Sequence, residues 1–260
     1  MSFRSHRYSS PSIHHPLRQG LALALLGLAL SGTAQADSSI TLGAGVGAIP
    51  RYEGSSEYKG TEIPIVNARI GPFYARTDHG VGINLIETPT VTLSAGVNMM
   101  WGYDSGDMPH GIDGLSDEVG ARLGLSTRFA GAIFRVAATQ ALKDSDRGLR
   151  LDARIAYPFA LTDRVRLVPS VATSWASEKY MDSYFGITAD ESRRSGLAQY
   201  QPTSGFKDVS ARMAVNFALT ERFNLTGTVN ISRLVGEAAG SPLVEQKNQV
   251  STVVGASYTF

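Results

Sequence analysis

Val91-Thr92-Leu93-Ser94-Ala95-Gly96-Val97-Asn98-Met99-Met100-Trp101-Gly102-Tyr103 is the stretch that decides the fold. Val91, Leu93, Ala95, Val97, Met99, Trp101 and Tyr103 alternate with Thr92, Ser94, Gly96, Asn98 and Gly102, and Met100 alone is out of step. Side chains on a strand point alternately to opposite faces, so this run has one apolar and one polar face. It is long for a soluble strand but suits a tilted strand that crosses a bilayer and projects beyond it.

The same pattern returns along the chain. Leu149, Leu151, Ala153, Ile155, Tyr157, Phe159 and Leu161 alternate against Arg150, Asp152 and Arg154. It recurs in Val165, Leu167, Pro169, Val171, Thr173 and Trp175, and again in Val209, Ala211, Met213, Val215, Phe217 and Leu219. Weaker runs predict strands near 39–47, 62–70, 72–77, 79–87, 117–129, 131–142, 221–233 and 247–260. With the four clear runs that makes twelve, and the fold class expected is all-β: a closed antiparallel transmembrane barrel.

The connections test this independently. In an oriented barrel one side carries short turns and the other long loops. Gly71-Pro72, Thr88-Pro89, Ala130-Gly131, Thr162-Asp163 and Thr220-Glu221 are all tight. The intervening connections at 48–61, 104–116, 143–148, 178–205 and 234–246 are mostly long and rich in Gly, Ser and charge. Only the junction near Thr77-Asp78 is short where a long loop was allowed. A soluble sandwich has no reason to sort its loops by parity.

Residues 1–36 read as a cleaved targeting signal. Arg4, Arg7 and Arg18 form a basic start, Leu21 to Leu30 an apolar core too short to span a bilayer as a helix, and Ala34-Gln35-Ala36 a small-x-small cleavage site. The expected mature domain is 37–260. It carries 21 Lys+Arg against 23 Asp+Glu, since the signal takes three Arg and no acid. That balance gives no reason to expect nucleic acid as a partner. There is no Cys, so disulfides and thiolate metal sites are excluded. The last run ends in Tyr258-Thr259-Phe260, an aromatic ending that resembles the assembly signature of outer-membrane barrels. Localisation in the bacterial outer membrane follows, with outer-membrane lipid and lipopolysaccharide as the surrounding partners. Trp101, Tyr103 and Trp175 near the outer strand ends, with Tyr157 and Phe159 near an inner turn, are placed as interfacial girdles.

The polar faces put Arg122, Arg128, Arg135, Arg150, Asp152, Arg154, Arg166, Asp208 and Arg212 indoors. An interior charge must be hydrated or paired. Two readings stand: an internal network of Arg–carboxylate pairs, or a basic lining for anionic solutes. His79 beside Asp78, and His110 among Asp107 and Asp113, are the imidazoles of the mature chain. Neither has a flanking nucleophile elbow, and both read as surface-loop histidines. His110 with Asp104, Asp107, Asp113 and Asp117 matches no EF-hand spacing and reads as a solvated acidic loop. No catalytic residue, metal site or cofactor is implied.

The loops carry a resemblance. Tyr52-Glu53-Gly54-Ser55, Gly114-Leu115-Ser116-Asp117, Tyr184-Phe185-Gly186-Ile187-Thr188, Ser195-Gly196-Leu197 with Tyr200, and Arg233-Leu234-Val235-Gly236-Glu237-Ala238 followed by Ser241-Pro242-Leu243-Val244 occur in order. Together they resemble the MltA-interacting protein (MipA/OmpV) family across the whole mature chain. Where that family carries a Gly-Arg pair, this chain reads Gly102-Tyr103-Asp104-Ser105-Gly106. The resemblance implies an outer-membrane protein without enzymatic activity, a scaffold joining a lytic murein transglycosylase to a murein synthase. Other members are described as adhesins or are linked to antibiotic uptake, and a narrow pore for small solutes is the alternative that the inward arginines support. The expected role of the motif loops themselves is to cap the barrel mouth.

Overall fold

The structure, a computed structural model, describes residues 38–143 and 147–260. The expected signal at 1–36 lies outside the described residues. Alternation becomes strand almost wherever the sequence shows it: β1 (Ser39–Pro50), β2 (Tyr58–Ile70), β3 (Phe73–Arg76), β4 (Gly80–Glu87), β5 (Val91–Met100), β6 (Glu118–Phe129), β7 (Ala132–Ala141), β8 (Leu149–Ala156), β9 (Phe159–Ala160), β10 (Val165–Ala176), β11 (Gly205–Ala218), β12 (Phe223–Leu234) and β13 (Asn248–Thr259). Each stave pairs antiparallel with the next, and β13 pairs with β1, from Thr41 opposite Thr259 to Ala48 opposite Thr252. The sheet therefore closes and has no free edge running its full height.

Twelve staves make the wall, because β8 and β9 both pair with β10 and are two halves of one. The alternation from Leu149 to Leu161 predicts one unbroken strand. Pro158 interrupts it, having no N–H to give the ladder, and Tyr157 N bridges the break to Pro169 O at 3.0 Å.

The wall is inside out relative to a soluble protein. On β10 the outward Val171 is 56% exposed, while the inward Ser170 and Ser174 are 9% and 5% exposed. Val46, Val81, Val97, Leu123, Val136, Val229 and Val254 are likewise exposed on their own strands. An apolar belt of this kind is stable only against lipid. Trp101, Phe206 and Tyr58 stand exposed toward one rim, and Phe73, Phe129, Tyr157 and Phe260 toward the other. Tyr103 is a correction: β5 ends at Met100, and Tyr103 turns over the mouth to pack on Tyr52 and Tyr184 instead of joining the girdle.

At the rim of short turns, Ala130 (φ 49) and Gly131 (φ 82) both adopt the left-handed region, as a two-residue primed hairpin turn requires. On the opposite rim the β3–β4 hairpin is far lower than its neighbours. β3 pairs only with Asn67–Ile70 of β2, and the Thr77 hydroxyl closes the gap above, donating to Pro64 O (2.7 Å) and accepting from Val66 N (2.8 Å). Pro64 sits where β2 has lost its neighbour strand, the position in a sheet that tolerates proline.

The long loops are not irregular throughout. Among the described residues they hold three short helices, α1 (Glu178–Phe185), α2 (Ala189–Ser195) and α3 (Gly236–Gly240), too brief to leave a helical period in the sequence. Most of the buried apolar residues gather here, over the mouth, while Tyr74 on β3 is buried lower in the barrel.

Candidate functional site

Ser177 starts α1 by accepting a hydrogen bond from Tyr180 N, and the helix buries Tyr180, Met181, Tyr184 and Phe185. Their cluster also takes in Met100, Ala141, Ala176, Leu234 and Ala238, so strand ends from all around the rim share one apolar centre. Thr188 and Glu191 form a capping box on α2, which stops at Gly196 in a left-handed cap (φ 76). Below it Ile112, Ile187 and Leu243 make a second small core. The mouth is plugged.

The motif residues supply the fasteners. Ser241 Oγ donates to Phe185 O (2.7 Å) and accepts from Leu243 N (3.2 Å), tying the last loop to α1. Tyr184 stacks on Tyr180 at 4.2 Å, and its hydroxyl donates to Trp101 O while accepting from Arg147 Nη1 (3.1 Å). Gly186 N donates to Asp182 O, and a Cβ on Gly186 would sit 2.4 Å from that same oxygen. Gly54 has φ 103, and its carbonyl accepts from both Glu245 N and Gln246 N. Tyr52 OH donates to Glu245 Oε1, and Glu53 N donates to Tyr103 OH (3.1 Å). Pro242 is half-buried beside Leu243. Burial is the largest cause that pushes the hydroxyls of Tyr52, Tyr103, Tyr180 and Tyr184 above the ordinary phenol range. All four stay neutral, so they act as packing and hydrogen-bonding groups and not as bases.

Beneath the plug lies a charge network that strict alternation misses. Lys207 Nζ meets Glu53 Oε2 at 2.5 Å and Asp208 Oδ2 at 2.7 Å, and Ser174 Oγ donates to that Asp208 oxygen. By parity Lys207 belongs outside. A β-bulge sets Ser174 opposite Asp208 but Trp175 opposite Phe206, and the extra residue, Lys207, turns inward and is buried. Arg147, in the loop before β8, approaches Glu118 at 3.7 Å and donates to Met100 O.

The remaining inward residues fall at three levels. Arg122, 3.6 Å from Asp152 and hydrogen-bonded to Thr139 Oγ1, and Arg150, 3.2 Å from Asp152, share one carboxylate below the plug. Arg135, Arg154 and Arg212 lie deeper. Arg128 and Arg166 share the inward parity but are exposed beside the short turns.

His79 is a second correction. Because the β3–β4 hairpin is so low, its ring is directed into the lumen instead of lying on a surface loop. Its side chain is 16% exposed, with Nδ1 2.5 Å from Asp78 and Nε2 accepting from Arg135 Nη1 at 2.8 Å. Guanidinium only donates, so Nδ1 carries the ring proton. Both nitrogens are occupied. His110 is exposed, and its neighbours are engaged elsewhere: Asp107 with Arg51 and Lys59, Asp113 with Arg194, Asp117 with Gly102 N. Among the described residues no group of three or more His, Asp or Glu could hold a metal ion.

A lipid-facing wall closed on itself, with a polar interior and a folded plug over one mouth, defines a bacterial outer-membrane β-barrel. The chain belongs to the family described as MltA-interacting protein MipA, which it matches over residues 42–260. It is 25% identical to the MltA-interacting protein of Escherichia coli (strain K12) over 248 residues, covering 92% of this chain and 98% of that one. It is 26% identical to the 24 kDa outer membrane protein of Pasteurella multocida (strain Pm70), covering 75% and 80%. A solved NanC porin superposes with a TM-score of 0.43 at 10% identity, covering 84% of this chain and 98% of that one.

Proposed function

We propose that this barrel is a non-enzymatic binding protein of murein turnover, holding a lytic murein transglycosylase, together with a murein synthase, at the inner face of the outer membrane. The observation that carries the reading is the near end-to-end similarity to a relative named for its interaction with MltA. The plug supports it: among the described residues the motif side chains bond within the plug, Ser241 to Phe185 and Leu243, and Tyr184 to Trp101 and Arg147. Both ring nitrogens of His79 are engaged, Nδ1 with Asp78 and Nε2 with Arg135.

A murein partner meets the rim of short turns, where Asp163, Arg164, Glu221 and Arg222 are exposed, or the segment preceding β1. Affinity capture on the full-length protein in cross-linked envelopes should enrich a murein transglycosylase, and charge reversal of those four turn residues should weaken the capture. Enrichment of no murein enzyme would overturn the reading.

A narrow pore is the second reading, favoured by the arginines of the lumen. Planar-bilayer recording separates the two: the plugged barrel should be silent, and steady unitary current from the unaltered protein would favour the pore.

A further inference from the structure

Three guanidinium groups meet in the middle of the lumen, and among the described residues the nearest acid, Asp78, reaches Arg135 only through the His79 ring. Arg135 on β7 stands directly opposite Arg154 on β8. Arg154 Nη1 donates to Ser170 Oγ at 3.0 Å, and Ser170 stands directly opposite Arg212 on β11. One level of the wall thus reads Arg135, Arg154, Ser170, Arg212. Directly opposed like charges repel across a strand pair unless something neutralises them.

The nearby carboxylates are already engaged. Asp152 serves Arg122 and Arg150, Asp208 serves Lys207, and Asp78 is bonded to His79. Among the described residues none of the three arginines has a carboxylate within ion-pair distance. Arg135 has the His79 ring, Arg154 a serine hydroxyl, and the buried Nε of Arg212 has no hydrogen-bond partner at all. A buried N–H without an acceptor is costly and rare. All three side chains keep partial exposure, so they line reachable space rather than a packed core.

We propose that this level of the lumen is a binding site for a compact oxyanion, a phosphate or phosphomonoester, held by Arg135, Arg154 and Arg212. Planar guanidinium forks match the paired oxygens of such an anion, and one dianion would supply both the missing charge and the acceptor for Arg212 Nε. The plug closes the outer mouth, so the anion enters from the rim of short turns, past the exposed Arg128 and Arg166. The site does not depend on the murein reading.

The test uses the purified full barrel in neutral detergent at fixed ionic strength, with inorganic phosphate as probe and chloride as control. The melting temperature should rise saturably with phosphate and not with chloride. Arg154→Gln and Arg212→Gln should each weaken phosphate about tenfold, and without phosphate each should melt above the parent because repulsion is relieved. A purely structural role for these arginines predicts the opposite shift. Arg193→Gln, on exposed α2, should change neither reading. Lipid A added to the micelles should not compete, because a headgroup phosphate cannot reach inside the wall. No saturable effect of millimolar phosphate, retention of it in the Arg154→Gln/Arg212→Gln double variant, or competition by lipid A would overturn the proposal.

Discussion

The upper and lower halves of the lumen are built from the same residue types and behave differently. Above, every large charge has a counter-charge: Lys207 between Glu53 and Asp208, Arg147 near Glu118, Arg122 and Arg150 on Asp152. Below, among the described residues, Arg135 bonds to the His79 ring, Arg154 to a serine hydroxyl, and the Nε of Arg212 to nothing. The upper acids do not all come from the wall. Glu53 belongs to the loop that folds over the mouth, so the plug brings charge as well as apolar mass. The loops add Glu53 and Arg147 to the pairs under the plug, while lower down three arginines have no carboxylate within ion-pair distance among the described residues and keep partial exposure. The contrast assigns closure to the upper half and a place for an anion to the lower.

The most damaging way to break the contrast is to empty the centre of the plug. Phe185 is fully buried, and Phe185→Ala should cost the plug about 4 kcal/mol through lost burial and the cavity left behind. The barrel wall should survive, retaining its heat-modifiable gel migration, while the 177–204 loop becomes sensitive to protease and the lumen conducts.

Removing the upper cation comes next. Lys207→Met leaves Glu53 and Asp208 facing each other, and should destabilise the plug by about 3 kcal/mol, read as a fall in melting temperature. The double variant Lys207→Met/Glu53→Gln should recover part of that loss, since it removes an orphaned charge as well.

Ser241→Ala deletes the hydroxyl that joins Phe185 O to Leu243 N, and a loss of about 1–2 kcal/mol is expected. Faster amide exchange in α3 and the last loop, with the wall strands unchanged, would locate the effect.

A smaller effect concerns pH. The Ser56 hydroxyl and N–H, and then Tyr52, hold Glu245 below the ordinary carboxylate range. A depressed folded value means its contribution is present above the unfolded pKa and lost as pH falls through the folded one. Acidification through the carboxylate range should therefore loosen the latch between the 51–57 and 235–247 loops, and Glu245→Gln should lack that acid-dependent step in protease sensitivity. Smallest of all, Arg194→Ala removes a bridge to Asp113 that is exposed on both sides, and should leave the melting temperature at the parent value.

The wall was legible because period-two alternation reports lipid on one side and water on the other, a property local to each strand. Val91 to Met100, Val165 to Ala176 and the sorted turns needed no partner to be recognised. Motif blocks such as Tyr184-Phe185-Gly186 and Ser241-Pro242 were visible as blocks, while the bond between them was not. Lys207 escaped because a bulge, which depends on the pairing of β10 with β11, reversed its face. His79 was misplaced because its depth is set by how low one hairpin stops relative to strands far away in the chain.

Sequence alone determined a barrel of twelve staves, its inside and outside, and which rim carries the long loops, because alternation and turn chemistry are short-range. The tertiary structure decided which inward charges meet, that the loops fold into a plug, and that three arginines share one level with no carboxylate within ion-pair distance among the described residues. Those outcomes depend on register and closure, which place residues from distant strands face to face, and no window of sequence contains that distance.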